Sequence, residues 1–207
     1  AEEILALCQF CQEHNLTLIC DEAYAYLVYD GQPRPSPLGL AAYRDKVVLI
    51  SSFSKQYALT GWRVGWVAAN GELMAQIMKV HDATAICAPT PSQYAALAAL
   101  DLDPAWLYTT KQALEKRRSL CCQRLDALAD FFSYVPPQGA FYVLARYLFS
   151  TDNSQKVAIR VLEGAKVVTI PGGCCGEGGE GHLRLSFGGE EEEINKSFDR
   201  LEKWLKS

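Results

Sequence analysis

Apolar positions recur along this chain at two periods, and the alternation between them outlines an α/β protein. Residues 2–13 place Ile4, Leu7, Cys8 and Cys11 at helical spacing, and the apolar run at 16–20 suits a buried strand of a parallel sheet. A second run, Val47 to Ile50, predicts another buried strand, and RVGWVAA at 63–69 a third, in which Gly65 marks a close backbone approach. Helices are predicted over 72–81, on Leu73, Ile77 and Val80, and over 93–100. With Asp103 as cap and Pro104 in the first turn, the longest helix runs to about residue 130 on Leu114, Cys121, Leu125 and Leu128. Lys116, Arg117, Arg118 and Arg124 fall mostly outside that stripe and read as a solvated face. Beyond it come a strand from Gly139, a helix at 154–163, a short strand at 167–170 and the alternating strand HLRLSF at 182–187. A last helix follows, acidic in its first turn and apolar at Ile194, Phe198, Leu201 and Leu205. The long helix is the natural place to change domains, which divides the chain into 1–104 and 105–207.

Composition narrows the function without naming it. Apolar residues make up 49% and charged residues 21%, so the chain buries enough surface to offset its ordering entropy. A net charge of −4 without basic runs argues against nucleic acid or an anionic membrane as partner, and no apolar stretch has the length of a membrane span. A cytoplasmic protein is expected. The eight cysteines are poorly spaced for a disulfide framework: Cys121/Cys122 and Cys174/Cys175 are adjacent, and Cys8 and Cys11 form a CxxC with no second pair to complete a metal set. They read as small buried apolar residues, and no metal is expected.

Candidate chemistry concentrates in SSFSKQYALTGWRVGW, residues 51–66. Lys55 follows a buried strand, where a rigid scaffold presents functional side chains. A lysine amine becomes a nucleophile toward carbonyl compounds where its surroundings favour the neutral form, and Arg63 supplies a nearby cation. The Ser52 and Ser54 hydroxyls and the guanidinium fork of Arg63 form a cradle suited to phosphate. The stretch thus reads as built for a carbonyl compound that bears a phosphate.

The string SFSKQYALTGWRVG resembles the lysine signature of the class I and II pyridoxal-phosphate aminotransferases, with serine three residues before the lysine and arginine eight after it. The DEAY at 21–24 is similar to the family's DExY motif, a few tens of residues before the lysine. The resemblance implies that Lys55 holds pyridoxal 5'-phosphate as a Schiff base and acts as general base. It implies also that Asp21 keeps the pyridine nitrogen protonated, that Tyr24 donates to the phenolic oxygen, and that Ala23 lies against the ring. Ser52, Ser54, Lys55 and Arg63 complete the implied cofactor set. The implied fold is the fold type I large domain, a mostly parallel sheet with helices on both faces, plus an α+β carboxyl-terminal small domain.

In the second half, GAFY from Gly139 resembles the strand that opens the family's small-domain sheet. The loop PGGCCGEGGEG at 171–181 formally contains GxGxxG at Gly176, Gly178 and Gly181, but a strand follows it and Glu177 and Glu180 would repel a pyrophosphate. In HLRLSF, Arg184 alternates with apolar positions, and a mid-strand arginine is costly to bury without a partner. From the residues alone that partner is a nearby glutamate or a ligand. The resemblance assigns Arg184 to the substrate's α-carboxylate, while Cys175 and His182 depart from the aromatic residues many relatives carry there. The match extends over the carboxyl-terminal half or so of the family only, so the chain is expected to be cut from a longer one. The implied activity is transfer of an amino group between an amino acid and a 2-keto acid, in a homodimer. A lyase on the same scaffold and a non-catalytic fragment are the alternatives.

Overall fold

The computed structural model describes residues 1–207, which divide into two compact units, Ala1–Leu107 and Tyr108–Ser207. In the first, α1 (Glu2–Glu13) ends at Asn15, whose left-handed φ of 52° turns the chain into β1 (Leu18–Asp21). β1 pairs in parallel with β2 (Val47–Ser52), Asp21 opposite Ile50. β2 runs directly into α2 (Phe53–Gln56), because the Ser52 Oγ accepts the Ser54 N–H at 3.1 Å and caps the new turn. The lysine is therefore on a short helix and not in a loop. β3 (Gly65–Ala68) returns antiparallel to β2, giving the order β1-β2-β3.

The third strand is shorter than its apolar run. Arg63 has a left-handed φ of 51° and ends a 3-10 turn, so pairing begins only where Gly65 meets Ser52. A Cβ on Gly65 would stand 2.6 Å from the Ser51 carbonyl oxygen, so no other residue fits this approach. α3 (Gly71–Thr84) is capped by Asn70, whose Oδ1 accepts from Leu73 at 2.8 Å, and α4 (Thr90–Leu100) follows. The core here holds Val47, Val48 and Leu49 of β2 with Cys8, Cys11, Tyr26, Leu27 and Tyr29, and a cluster of Phe53, Val64, Ala96 and Ala99. The buried strand expected at 16–20 is instead half-buried on one side, at Leu18 and Cys20, with Ile19 65% exposed on the other. Likewise Val80, placed on the buried stripe of its helix by spacing, is 66% exposed, and α3 buries no residue fully.

α5 (Ala105–Asp126) leads into the second unit, where β4 (Phe132–Tyr134), β5 (Tyr142–Tyr147), β6 (Ile170–Pro171) and β7 (His182–Ser186) form a sheet of order β4-β5-β7-β6, antiparallel throughout. α6 (Ser154–Ala165) and α7 (Glu191–Leu205) complete it. Strict alternation buries Val143, Ala145, Tyr147, Leu183 and Leu185, together with Phe187, while Leu144, Arg146 and Arg184 take the other face. Val157, Val161, Ile194, Phe198 and Leu201 add the helical share of this core.

Of the basic residues of α5, Lys116 is exposed as its spacing predicts, but Arg117 and Arg124 are not part of a solvated face. Arg117 pairs with Glu190 at 2.7 Å and Arg124 with Asp199 at 2.6 Å, and both guanidiniums are largely covered. Arg124 also lies 5.7 Å from the Phe198 ring centroid. They tie α5 to α7 through partners more than 70 residues away. All eight cysteines are free thiols; Cys8, Cys11 and Cys121 are buried, and burial pushes the Cys121 thiol up to about 12. No helix is long and apolar enough to cross a membrane.

Candidate active site

The parallel register of β1 and β2 decides the site's geometry. With Asp21 opposite Ile50, the carboxyl ends of the two strands fall side by side, and the Glu22 N–H extends the pairing to the Ile50 carbonyl at 2.8 Å. Ligands of α/β sheets gather at such ends. Asp21 is exposed there, its Oδ1 accepting the Ala23 N–H at 3.0 Å, which turns the chain after the strand. That turn places the Tyr24 ring beside the next strand's helix, so that the Lys55 Nζ stands 5.8 Å from the ring centroid. The attraction between ammonium and ring is a directional contact on a half-buried lysine.

Lys55 is also held from behind. The buried hydroxyl of Tyr26 donates to the Lys55 carbonyl oxygen, and burial raises that phenol above its ordinary range. The Thr60 hydroxyl donates to the Ser54 carbonyl at 2.9 Å, and Phe53 stacks on Tyr57 at 5.4 Å between centroids. Two left-handed residues, Ala58 and Arg63, fold the segment back toward β2, a concentration of strained backbone of the kind found at functional sites.

The remaining candidates are placed less uniformly. Ser52 spends its Oγ on the Ser54 amide, and Ser54 is itself buried. Arg63 is exposed, its Nη1 donating to the Thr60 carbonyl at 2.8 Å, next to the residues that pair with the end of β2. Asp21, Tyr24, Ser52, Ser54, Lys55 and Arg63 all belong to the first unit, and Arg184 to the second. Arg184 sits on the open face of β7, half-buried, with its guanidinium carbon 4.5 Å from the Tyr142 ring centroid. It makes no ion pair, so the glutamate partner left open by the sequence is not there. A planar cation seated on a ring keeps its fork of N–H donors for a carboxylate.

Tyr26 and Tyr142 join the site beyond the residues that the sequence motifs point to. Tyr26 carried a signal, an aromatic two positions beyond Tyr24, and Tyr142 carried another, since alternation puts it on the Arg184 face once β5 and β7 are paired. As a donor set, the first unit offers an exposed carboxylate, an amine, a phenol, a guanidinium and hydroxyls around one strand edge. That chemistry fits a pyridine ring carrying a carbonyl, a phenolic oxygen and a phosphate.

The family model for aminotransferases of class I and II matches residues 1–201. The aromatic-amino-acid aminotransferase 2 of Thermococcus litoralis is 33% identical over 207 residues, covering 99% of this chain and 53% of the relative. The aspartate aminotransferase of Pyrococcus abyssi is 32% identical, with the same coverage of 99% and 53%. Among solved structures, the aromatic aminotransferase from Pyrococcus horikoshii OT3 superimposes with a TM-score of 0.92 at 31% identity, covering 99% of this chain and 55% of that one. The aspartate aminotransferase from Thermotoga maritima gives 0.88 at 32%, covering 100% and 52%. The chain thus spans about half the length of the relatives it matches.

Proposed function

This chain belongs to the class I and II aminotransferases, and on that premise we propose that it serves an enzyme moving an amino group between an amino acid and a 2-keto acid with pyridoxal 5'-phosphate. One observation carries the reading: the parallel register of β1 and β2 sets Asp21 beside the strand end that leads to Lys55, with the Lys55 ammonium over the Tyr24 ring. When bound, the cofactor supplies an electron sink for a substrate carbon that loses its proton. Lys55 would hold the cofactor through Nζ at its carbonyl carbon, and the same amine, once displaced by the substrate's amino group, would act as the base that moves the proton from the substrate's α-carbon to the cofactor's carbonyl carbon. Asp21 would hold a proton at the ring nitrogen, and Tyr24 would donate to the phenolic oxygen. Arg63 would bind the phosphate with its guanidinium, joined by the Ser52 and Ser54 hydroxyl protons. Arg184 takes the substrate's α-carboxylate as a bidentate pair.

In this reading residues 1–104 are the second part of the cofactor-binding large domain, and 105–207 are the linking helix and small domain. A homodimeric, cytoplasmic enzyme belongs to the same reading. The test is a visible absorption spectrum of the full-length protein after loading with the cofactor and removing excess, then borohydride reduction and peptide mapping. The expected result is one adduct, on Lys55, with Lys55→Ala losing the band and transamination falling by about a thousandfold. Adducts scattered over surface lysines overturn the assignment. Release of ammonia from an amino acid without a keto-acid acceptor overturns the reaction class in favour of a lyase.

A further inference from the structure

The loop at residues 171–181 holds six glycines in eleven residues, a composition that leaves an isolated chain highly mobile. In the fold it is closed on itself. Gly172 and Gly179 meet backbone to backbone: a Cβ on the first would lie 2.0 Å from the carbonyl oxygen of the second. The Glu180 carboxylate gathers the rest. Its Oε1 accepts the Ser154 N–H at 2.5 Å and the Gly181 N–H at 3.0 Å, and its Oε2 accepts the Ser154 hydroxyl at 2.9 Å. The Ser154 Oγ in turn accepts the Gly173 N–H at 3.0 Å. Both arms of the loop are therefore fastened to one buried serine in the first turn of α6, where unpaired N–H groups and the helix dipole favour a carboxylate. The glutamate that would repel a bound pyrophosphate is the loop's own anion.

The fastening continues into β7. The Gly181 carbonyl accepts the Tyr147 N–H at 3.1 Å, and the Glu180 carbonyl oxygen is 2.9 Å from the His182 Nδ1. His182 then pairs with Arg146 and Arg184 with Leu144, which sets the guanidinium over Tyr142. We infer that Glu180 is a positioning residue: it fixes the start of β7, and through it the direction in which Arg184 presents its fork. The inference rests on the carboxylate role proposed above for Arg184. A bidentate pair requires both N–H groups aligned at once, so freeing the strand's first residues weakens binding while leaving the proton transfers at Lys55 untouched.

The test is steady-state kinetics and thermal unfolding of the full-length enzyme carrying Glu180→Ala, Glu180→Gln, Arg184→Ala and the double variant Glu180→Ala/Arg184→Ala. Glu180→Ala is expected to raise KM for the amino acid about tenfold with kcat within about twofold, and Glu180→Gln, which keeps the shape and one acceptor oxygen, about threefold. In the Arg184→Ala background, itself about a hundredfold up in KM, Glu180→Ala is expected to add nothing, because its effect passes through the missing guanidinium. A lowered Tm with KM unchanged makes Glu180 a helix cap only and overturns the inference, as does a KM rise that adds in full in the double variant. Arg184→Ala leaving KM unchanged overturns the carboxylate reading itself, a result distinct from failure of the Glu180 variants alone.

Discussion

The two sheets of this molecule are finished to different degrees. In the four-stranded sheet β4-β5-β7-β6 every inward position of the central strands is buried, down to zero exposure at Ala145 and Leu183, and α6 and α7 supply the facing side chains Val157, Val161 and Phe198. In the three-stranded sheet β1-β2-β3, three residues of β2 are covered, while Ile19, Trp66 and Val67 stand in the open. The helices repeat the contrast. α7 buries Ile194, Phe198 and Leu201, whereas α4 exposes Tyr94, Leu97 and Leu100, the first by 70%. The residues proposed to hold the cofactor all stand in the less covered unit. Burial of apolar surface is the main force holding a domain, so within these 207 residues the second unit is the more firmly held, while the proposed cofactor residues stand in the first.

Separating the two at their boundary breaks the comparison most sharply. A chain of residues 108–207 is expected to give a cooperative thermal transition and dispersed amide spectra, since its sheet, helices and the Arg117 and Arg124 ties are all internal. A chain of residues 1–107 is expected to show a weak transition and to self-associate, because large apolar side chains such as Ile19, Val80, Ile86, Tyr94 and Leu97 stand exposed. Calorimetry and sedimentation measure both; a cooperative, monomeric first unit would refute the contrast.

A gentler version keeps the chain whole. Leu183→Ala removes a fully buried side chain from the centre of the second sheet and is expected to cost about 2–5 kcal/mol in denaturant unfolding. Ile19→Ala, at an equally apolar position of the first sheet, is expected to change stability by less than about 0.5 kcal/mol. Equal losses would mean that Ile19 is packed in solution.

The same contrast explains what was legible in the sequence. Periodicity located α7 and its stripe, and alternation located β7, because the apolar faces of these two elements have their partners within the chain. Val80 and Ile19 sit on equally regular patterns, yet a pattern states which face is apolar and not whether anything covers it. Charges follow a related rule: Arg117 and Arg124 look solvated until Glu190 and Asp199, more than 70 residues on, are folded against them. The strand-end placement of Asp21 and Lys55 was legible from the order of strands and loops. That Ser52 is a helix cap, that Arg63 is left-handed and that Tyr26 holds the Lys55 carbonyl depend on turns no periodicity reports.

The smallest expected effect distinguishes how the loops of the two units are tied. In the first, Lys46 donates to Asn15 Oδ1 at 2.6 Å, a tie that contains no carboxylate. In the second, the Gly181 amide first, then the Ser154 amide and hydroxyl, hold the Glu180 carboxyl below the ordinary value of 4.5. A depressed folded value means that the clamp contributes its full share above pH 4.5 and loses it as the pH falls through the lower, folded value. Hydrogen exchange of the Gly173, Gly181 and Ser154 amides, corrected for intrinsic rates, is therefore expected to be level from pH 8 to about 5 and to lose protection below the ordinary carboxyl range. The Leu16 amide, bonded to the Cys11 carbonyl beside Asn15, and the Phe198 amide within α7 are expected to show no such step. Glu180→Gln should lower loop protection at every pH and abolish its acid dependence, because the amide accepts through one oxygen and does not titrate. If the step survives that substitution, another carboxylate fastens the loop and the clamp is not Glu180.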